Sequence, residues 1–483
     1  MSVRSASVGI ALACACAWAG GQVLPLAPAG SAAAAKVPGG KGQDLTPSSA
    51  APPAIRIDAD HWTLSPASLA FLQRVAAVRD PAVSRTAVAA SALEDHVLGG
   101  HAQRTVGDEA LYDNGRVALS PEASAEASLD ASLWVAFRAP LTAALGPDGG
   151  AHFVTARPPL PRERLLAVLG MSSPATRGAS AAPAIRLDDR LAPEREAALG
   201  DVTLLAYRFD DGSTGTITLQ EVWRHLTLQQ RHLLYGGDTA FATAQATERL
   251  RHRFARHWAA QHAGLPEDEL SRLQALFADH ERRAALARWL GVTDDGSFHS
   301  AALDRLRAAV TPDEVARYYA AHPDDFTRVE RVRARHIHCA DEARAQAAAT
   351  ALARGEPFAD VARRASDAPD RLRGGDLGWL DAAHSLDDWL TQVAFAQPVG
   401  APTSPLRAPS GGWEIVQVQD RVTGHHPVDS ETVRYAAGVA IAREHAAADY
   451  AALRARLLGA TVVAFDPAQA GTDAAGWRAR GFK

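Results

Sequence analysis

His336 and His338 stand two residues apart in Val332-Arg333-Ala334-Arg335-His336-Ile337-His338, a stretch that alternates as a strand. Alternation puts both imidazoles on one face. Such a pair could ligate zinc, and Cys339 is adjacent, but Cys339 points the other way. No further histidine or cysteine set with ligand spacing appears, so no metal is expected. Gly374, Gly375 and Gly378 lie in Gly374-Gly375-Asp376-Leu377-Gly378-Trp379, which could suggest a phosphate cradle. No Lys-Ser/Thr follows and the helix start is wrong, so a tight turn is the better reading. A serine or cysteine hydrolase has little support, because there is no G-x-S-x-G elbow and Cys339 lacks a partner pattern. The arginine-rich run Arg249 to Arg256 reads as the wet face of a helix, with an anionic contact surface as the alternative. His425-His426 reads as solvated linker, and Trp379 and Trp413 as packing residues.

These groups must be positioned by a chain of 483 residues, enough for two to four domains at roughly 150 residues each. With 47% apolar and 22% charged residues it is ordinary globular material, which excludes wholesale disorder. The formal net charge of -5 argues against nucleic acid as a partner. Lysine occurs only at Lys36, Lys41 and Lys483, a compositional bias toward arginine and alanine.

The N-terminus reads as a targeting segment. Arg4 precedes a small and apolar run from Val8 to Ala19, and A-x-A sites follow at Ala17-Trp18-Ala19 or within Ala32 to Ala35. Residues 1–35 are therefore a signal peptide or a retained anchor; cleavage is favoured, because the run falls short of the roughly 20 residues of a span. Cys14 and Cys16 lie inside it, without the leucine of a lipoprotein site. Removal would leave Cys339 as the sole thiol and exclude a disulfide framework. Residues 36–53 read as a flexible linker.

Residues 54–325 are mainly helical, with short strands. Ser65-Pro66 starts a helix to Ala77, and a second helix covers about Pro81 to Leu98 with Val83, Val88, Leu93 and Val97 inward. Residues 118–143 read as a helix and 172–185 as a loop. A strand, turn and return over Leu204 to Leu219 lead into another helix, so 54–110 and 202–262 form a candidate repeat. Thr311, Pro312 and Glu314 make a capping box for a helix to Ala321, and His322-Pro323 marks a boundary. Residues 327–425 then run strand, helix (Asp341 to Arg354), turn, helix (Phe358 to Ala365), polar loop, glycine turn, helix (Asp387 to Phe395) and closing strand (Gly412 to Val418). That order is a small α+β domain. A helix over 429–458 and a short strand to Phe465 fall within the C-terminal segment 426–483.

Several motifs in this order resemble the parvulin-type peptidyl-prolyl cis-trans isomerases. They are Arg335-His336-Ile337, Gly355-Glu356-Pro357-Phe358-Ala359-Asp360-Val361-Ala362, Ser366-Asp367, Gly374-Gly375-Asp376-Leu377-Gly378-Trp379, Ala394-Phe395 and Gly412-Trp413-Glu414-Ile415-Val416. The whole chain also resembles, in architecture, the periplasmic chaperone parvulins of the SurA and PpiD type, which implies that 54–325 is a chaperone-like region. The implied fold class is α+β: a largely helical N-terminal region with short strands, a small parvulin-like domain and a C-terminal helix.

The resemblance implies a prolyl isomerase assisting the folding of exported proteins, without cofactor or metal. Its partners would be unfolded or extended proline-containing polypeptides. Its location would be the periplasm, free or attached to the inner membrane through the N-terminus. His336 matches the first histidine of the family's polar network. Leu377 and Leu386 match apolar pocket positions, Leu390 (Trp389 if the register slips by one) falls at the usual phenylalanine, and Phe395 matches an apolar position of the third helix. Ala368 replaces the family's cysteine or aspartate, so Asp367 or Asp370 would substitute, and Glu414 replaces the second histidine. These departures support the alternative of a catalytically weak parvulin-like chaperone that holds polypeptide. Asp341 and Glu342 after His336, with no basic loop, argue against phospho-dependent substrates.

Overall fold

The computed structural model describes residues 55–57, 61–112, 120–171, 191–293, 299–382 and 388–465. The expected signal and linker (1–53), the loop 172–185 and Leu386 lie outside the described residues. The chain divides into two compact units, 1–302 with 447–483 and 303–446.

In the first unit β1 (Ile55–Ile57) and β2 (Trp62–Leu64) form a hairpin, and β1 also pairs with Val463–Phe465. Helix α1 (Pro66–Ala77) follows, its N-terminus capped by Ser65 Oγ, which accepts the Ser68 N–H at 3.0 Å. Helix α2 (Arg85–Thr105) starts later than valine spacing suggests, because Ser84 takes the cap and accepts the Ala87 N–H. Helix α3 (Pro121–Leu145) bends at Phe137, where Pro140 removes a backbone donor one turn on. Strands β3 (Val154–Ala156), β4 (Thr203–Arg208) and β5 (Thr214–Thr218) form an antiparallel sheet. Long helices α4 (Thr239–His262) and α5 (Glu267–Trp289) complete the unit. Leu69, Leu93, Leu129, Leu133, Phe153 and Phe277 are fully buried in one continuous core. Helices α2 and α5 exchange two pairs, His96 Nδ1 with Asp279 at 2.9 Å and His280 Nδ1 with Asp95 at 3.1 Å.

The arginine run on α4 is not a wet face. Arg249 is 5% exposed and bonds Asp130 of α3 at 3.3 Å, with Glu126 as a second partner. Arg256 Nε donates to the other oxygen of Asp130 at 2.6 Å. Only Arg251 and Arg253 of this run keep about half their side chains in solvent. Two carboxylates on a neighbouring helix draw the other guanidinium groups inward, which polarity read along one helix does not reveal.

The second unit opens with α6 (Pro312–Ala321), whose Thr311 and Glu314 form the expected capping box. Then come β6 (Thr327–Cys339), α7 (Glu342–Ala353), α8 (Phe358–Ala365), β7 (Asp376–Asp381), α9 (Trp389–Ala396), β8 (Leu406–Arg407), β9 (Trp413–His425) and the start of α10 (Glu431–Ala460). The sheet order is β7-β6-β9-β8, antiparallel throughout. On one face Ile337, Cys339 and Ile415 pack with Ala345, Ala348, Phe358 and Val361 of α7 and α8. On the other, Val332, Ala334, Val416 and Val418 pack with Ala394 of α9. Helix α6 does not end at a domain edge. Val315 and Phe326 are buried with Val433, Ala437 and Ile441 of α10, so the compact unit extends beyond 327–425 on both sides. His426 is likewise no free linker: its N–H donates to the Phe326 carbonyl and its carbonyl accepts the Tyr319 hydroxyl, each at 2.9 Å.

Candidate active site

The second sheet face carries a polar cluster at one end and an apolar patch at the other. His336 lies on β6 in line with Ala334 and Val332, so strand alternation brings its side chain to that face. Glu414 lies on β9 in line with Val416 and Val418. Asp370 comes from a 3-10 turn, Pro369–Arg373. That turn closes through the Gly375 N–H to the Asp370 carbonyl at 3.2 Å, and it docks on β6 through the His336 N–H to the Gly375 carbonyl at 2.9 Å. Gly375 has φ +74, and a Cβ there would stand 2.0 Å from the His336 carbonyl oxygen. Glycine is thus the residue that lets the loop reach the strand. Ser366, 1% exposed, anchors the loop's other end by accepting the N–H groups of His338 and Ala368 at 3.1 and 3.2 Å.

The result is a buried chain of titratable groups. His336 Nδ1 lies 2.9 Å from Glu414 Oε2, and its Nε2 lies 3.0 Å from Asp370 Oδ2. Glu414 Oε1 in turn lies 2.7 Å from His338 Nδ1. His336 and Glu414 are each 7% exposed and Asp370 is 9% exposed. Both ring nitrogens of His336 face carboxylate oxygens, which are acceptors only, so the imidazolium satisfies the arrangement with two donors. Burial opposes that charge, but the hydrogen bonds and charges of Glu414 and Asp370 outweigh it and hold the His336 pKa above its ordinary value. Asp370 Oδ1 is buried without a hydrogen-bond partner in the described residues.

A pKa raised in the folded state has a definite sign for stability. The contribution is present in full below the unfolded histidine value, near 6.5, and is lost as pH rises through the higher native value. The stability advantage of wild type over His336→Gln should therefore shrink as pH rises from about 6 to 9. Thermal melts of the two proteins across that range check this; an advantage that grows with pH would contradict the charged assignment.

Of the groups singled out from sequence, His336, Asp370 and Glu414 come together and Asp367 does not. Asp367 accepts from both terminal nitrogens of Arg344, at 2.8 and 3.0 Å, and from the Ala340 N–H at 3.1 Å. That guanidinium holds its carboxyl below the usual range. Leu377, Leu390 and Phe395 are half-buried and pack on the apolar end of the same face, around Val416, Val418 and Ala394. Trp389, at the first turn of α9, is half-buried outside that cluster. Leu386 lies outside the described residues. His338, which the sequence offers only as half of a metal pair, shares that strand face and stands directly across from Glu414 in the β6–β9 register. Among the described residues no group of histidine, cysteine and carboxylate side chains could hold a metal ion. Cys339 is fully buried with its thiol pKa pushed up by burial, which makes it unreactive.

Residues 310–434 match the family described as the PPIC-type PPIase domain. This segment is a parvulin-type isomerase domain. The chain is 40% identical over 77 residues to the chaperone SurA of Chromobacterium violaceum, covering 16% of this chain and 18% of that one. It is 33% identical over 113 residues to the periplasmic chaperone PpiD of Haemophilus ducreyi, covering 23% and 18%. It is 31% identical over 91 residues to the foldase protein PrsA of Bacillus subtilis, covering 19% and 31%. The chain thus spans less than a third of the length of these relatives.

Proposed function

We propose that this chain is an exported peptidyl-prolyl cis-trans isomerase that acts on unfolded or extended polypeptide, its helical unit keeping the client close. The observation that carries the reading is the His336 cluster set beside the half-buried patch of Leu377, Leu390 and Phe395 on one sheet face of the matched domain. Rotation about the bond to proline faces a barrier of about 18–20 kcal/mol and takes tens to hundreds of seconds unaided. No covalent bond has to break. The domain has to grip the proline ring, exclude water and favour the twisted amide over the planar one. Leu377, Leu390 and Phe395 are the apolar grip. His336 as a cation between two carboxylates leaves those three groups with one net negative charge. A negative cluster beside the rotating carbonyl disfavours the planar form, in which resonance places negative charge on the oxygen. That raises the ground state relative to the twisted one.

The run from Val8 to Ala19 serves this reading as the export leader, or as an inner-membrane anchor if it is retained. Among the described residues no helix is long and apolar enough to cross a membrane. The full-length chain should accelerate the slow phase of a client whose refolding is limited by a prolyl bond. Protection of that client from aggregation with no change in the slow phase would favour a holding chaperone instead.

A further inference from the structure

Glu414 is shared. One of its oxygens faces His336 and the other faces His338, at 2.9 and 2.7 Å, and the carboxylate is 7% exposed. The two imidazoles are therefore joined by one buried acceptor and reach solvent unequally, with side-chain exposures of 9% for His336 and 29% for His338. The His338 ring is also confined. A Cβ at Gly412, where φ is +79, would stand 2.6 Å from His338 Cε1, so glycine there leaves room for the ring against the β9 end. The His338 N–H is tied to Ser366 Oγ and its carbonyl to the Asp367 N–H, at 3.1 and 2.8 Å. Strand and loop hold the backbone of this residue, and its ring lies one carboxylate away from His336.

We propose that His338 is a positioning residue of the isomerase site, acting through Glu414 to orient His336. This rests on the isomerase reading. The Nδ1–H of His338 donates to one Glu414 oxygen and so turns the other toward His336. The other charged group facing His338 is Asp367 from the loop, already held by Arg344 of α7. Removing the His338 donor should therefore slow isomerisation by releasing Glu414 and, with it, the His336 ring.

The test is kcat and KM for a short X-Pro peptide, measured on the wild type, His338→Gln and His338→Ala. His338→Ala should lose roughly tenfold in kcat with little change in KM, the effect of one hydrogen bond to a charged group. His338→Gln can still donate to Glu414, so it should recover most of that loss. A kcat loss in His338→Gln as large as in His338→Ala overturns the proposal. A second measurement does not need activity: the imidazole nitrogen NMR signals of His336 should shift in His338→Ala and return in His338→Gln. Signals of His336 unchanged in His338→Ala would also overturn it. Failure of the isomerase reading is separate, since it appears as no acceleration by the wild type while the NMR change persists.

Discussion

Replacing Asp130 with alanine is expected to destabilise the helical unit by about 3–5 kcal/mol, the cost of removing one partner from a buried ion pair. Asp130 is fully buried and faces three basic side chains: Arg249 at 3.3 Å, Arg256 at 2.6 Å and His252 at 3.3 Å. Its loss leaves Arg249, itself 5% exposed, to Glu126 and Glu221 alone. Asp130→Asn keeps the shape and one acceptor and should fall between wild type and alanine. Urea unfolding, with amide hydrogen exchange read on α3 and α4, locates the loss. A change below about 1 kcal/mol would mean that the network contributes no more than an exposed pair does.

The second large effect is expected at Glu414. Glu414→Leu removes the shared acceptor of His336 and His338 and leaves both Nδ1 atoms facing an apolar group. Two hydrogen bonds to a charged acceptor at about 1.5 kcal/mol each give a loss of about 3 kcal/mol. The loss should be larger at pH 6 than at pH 9, because His336 carries its charge at the lower pH. Isomerisation should fall about 100-fold, the scale set by removal of a preorganised electrostatic group. Glu414→Gln retains an acceptor for one ring and should lose less of both. Unfolding of the isomerase domain at the two pH values and peptide kinetics measure these effects. Equal stability losses at pH 6 and pH 9 would contradict the ion-paired description.

Residues 332 to 339 and 412 to 418 show how much of this was legible in the sequence. Alternation assigned both strands, and the surrounding motifs singled out His336 and pointed to Glu414 as the residue in the second histidine's place. The join between Glu414 and His338 was not legible, because it depends on antiparallel register between strands 76 residues apart. Which of Asp367 and Asp370 stands beside His336 is likewise a matter of tertiary contacts. Arg344 captures the first, while the turn begun by Pro369 carries the second inward. Caps read well, since Ser65 and the Thr311–Glu314 box are local events. Arg249 read badly, since what buries it is a carboxylate on a different helix. The extent of the compact unit depends on distant contacts in the same way: Val315 and Phe326 are held by α10, more than 100 residues later.

The most direct test is cis–trans isomerisation of Ala-X-Pro-Phe peptides by the full-length chain, with X varied, beside a His336→Ala variant shown to be folded. Acceleration by wild type that falls about 100-fold or more in the variant is the expected result. Equal rates for the two proteins, or no acceleration for any X, would contradict the assignment of the His336 cluster as an isomerase site.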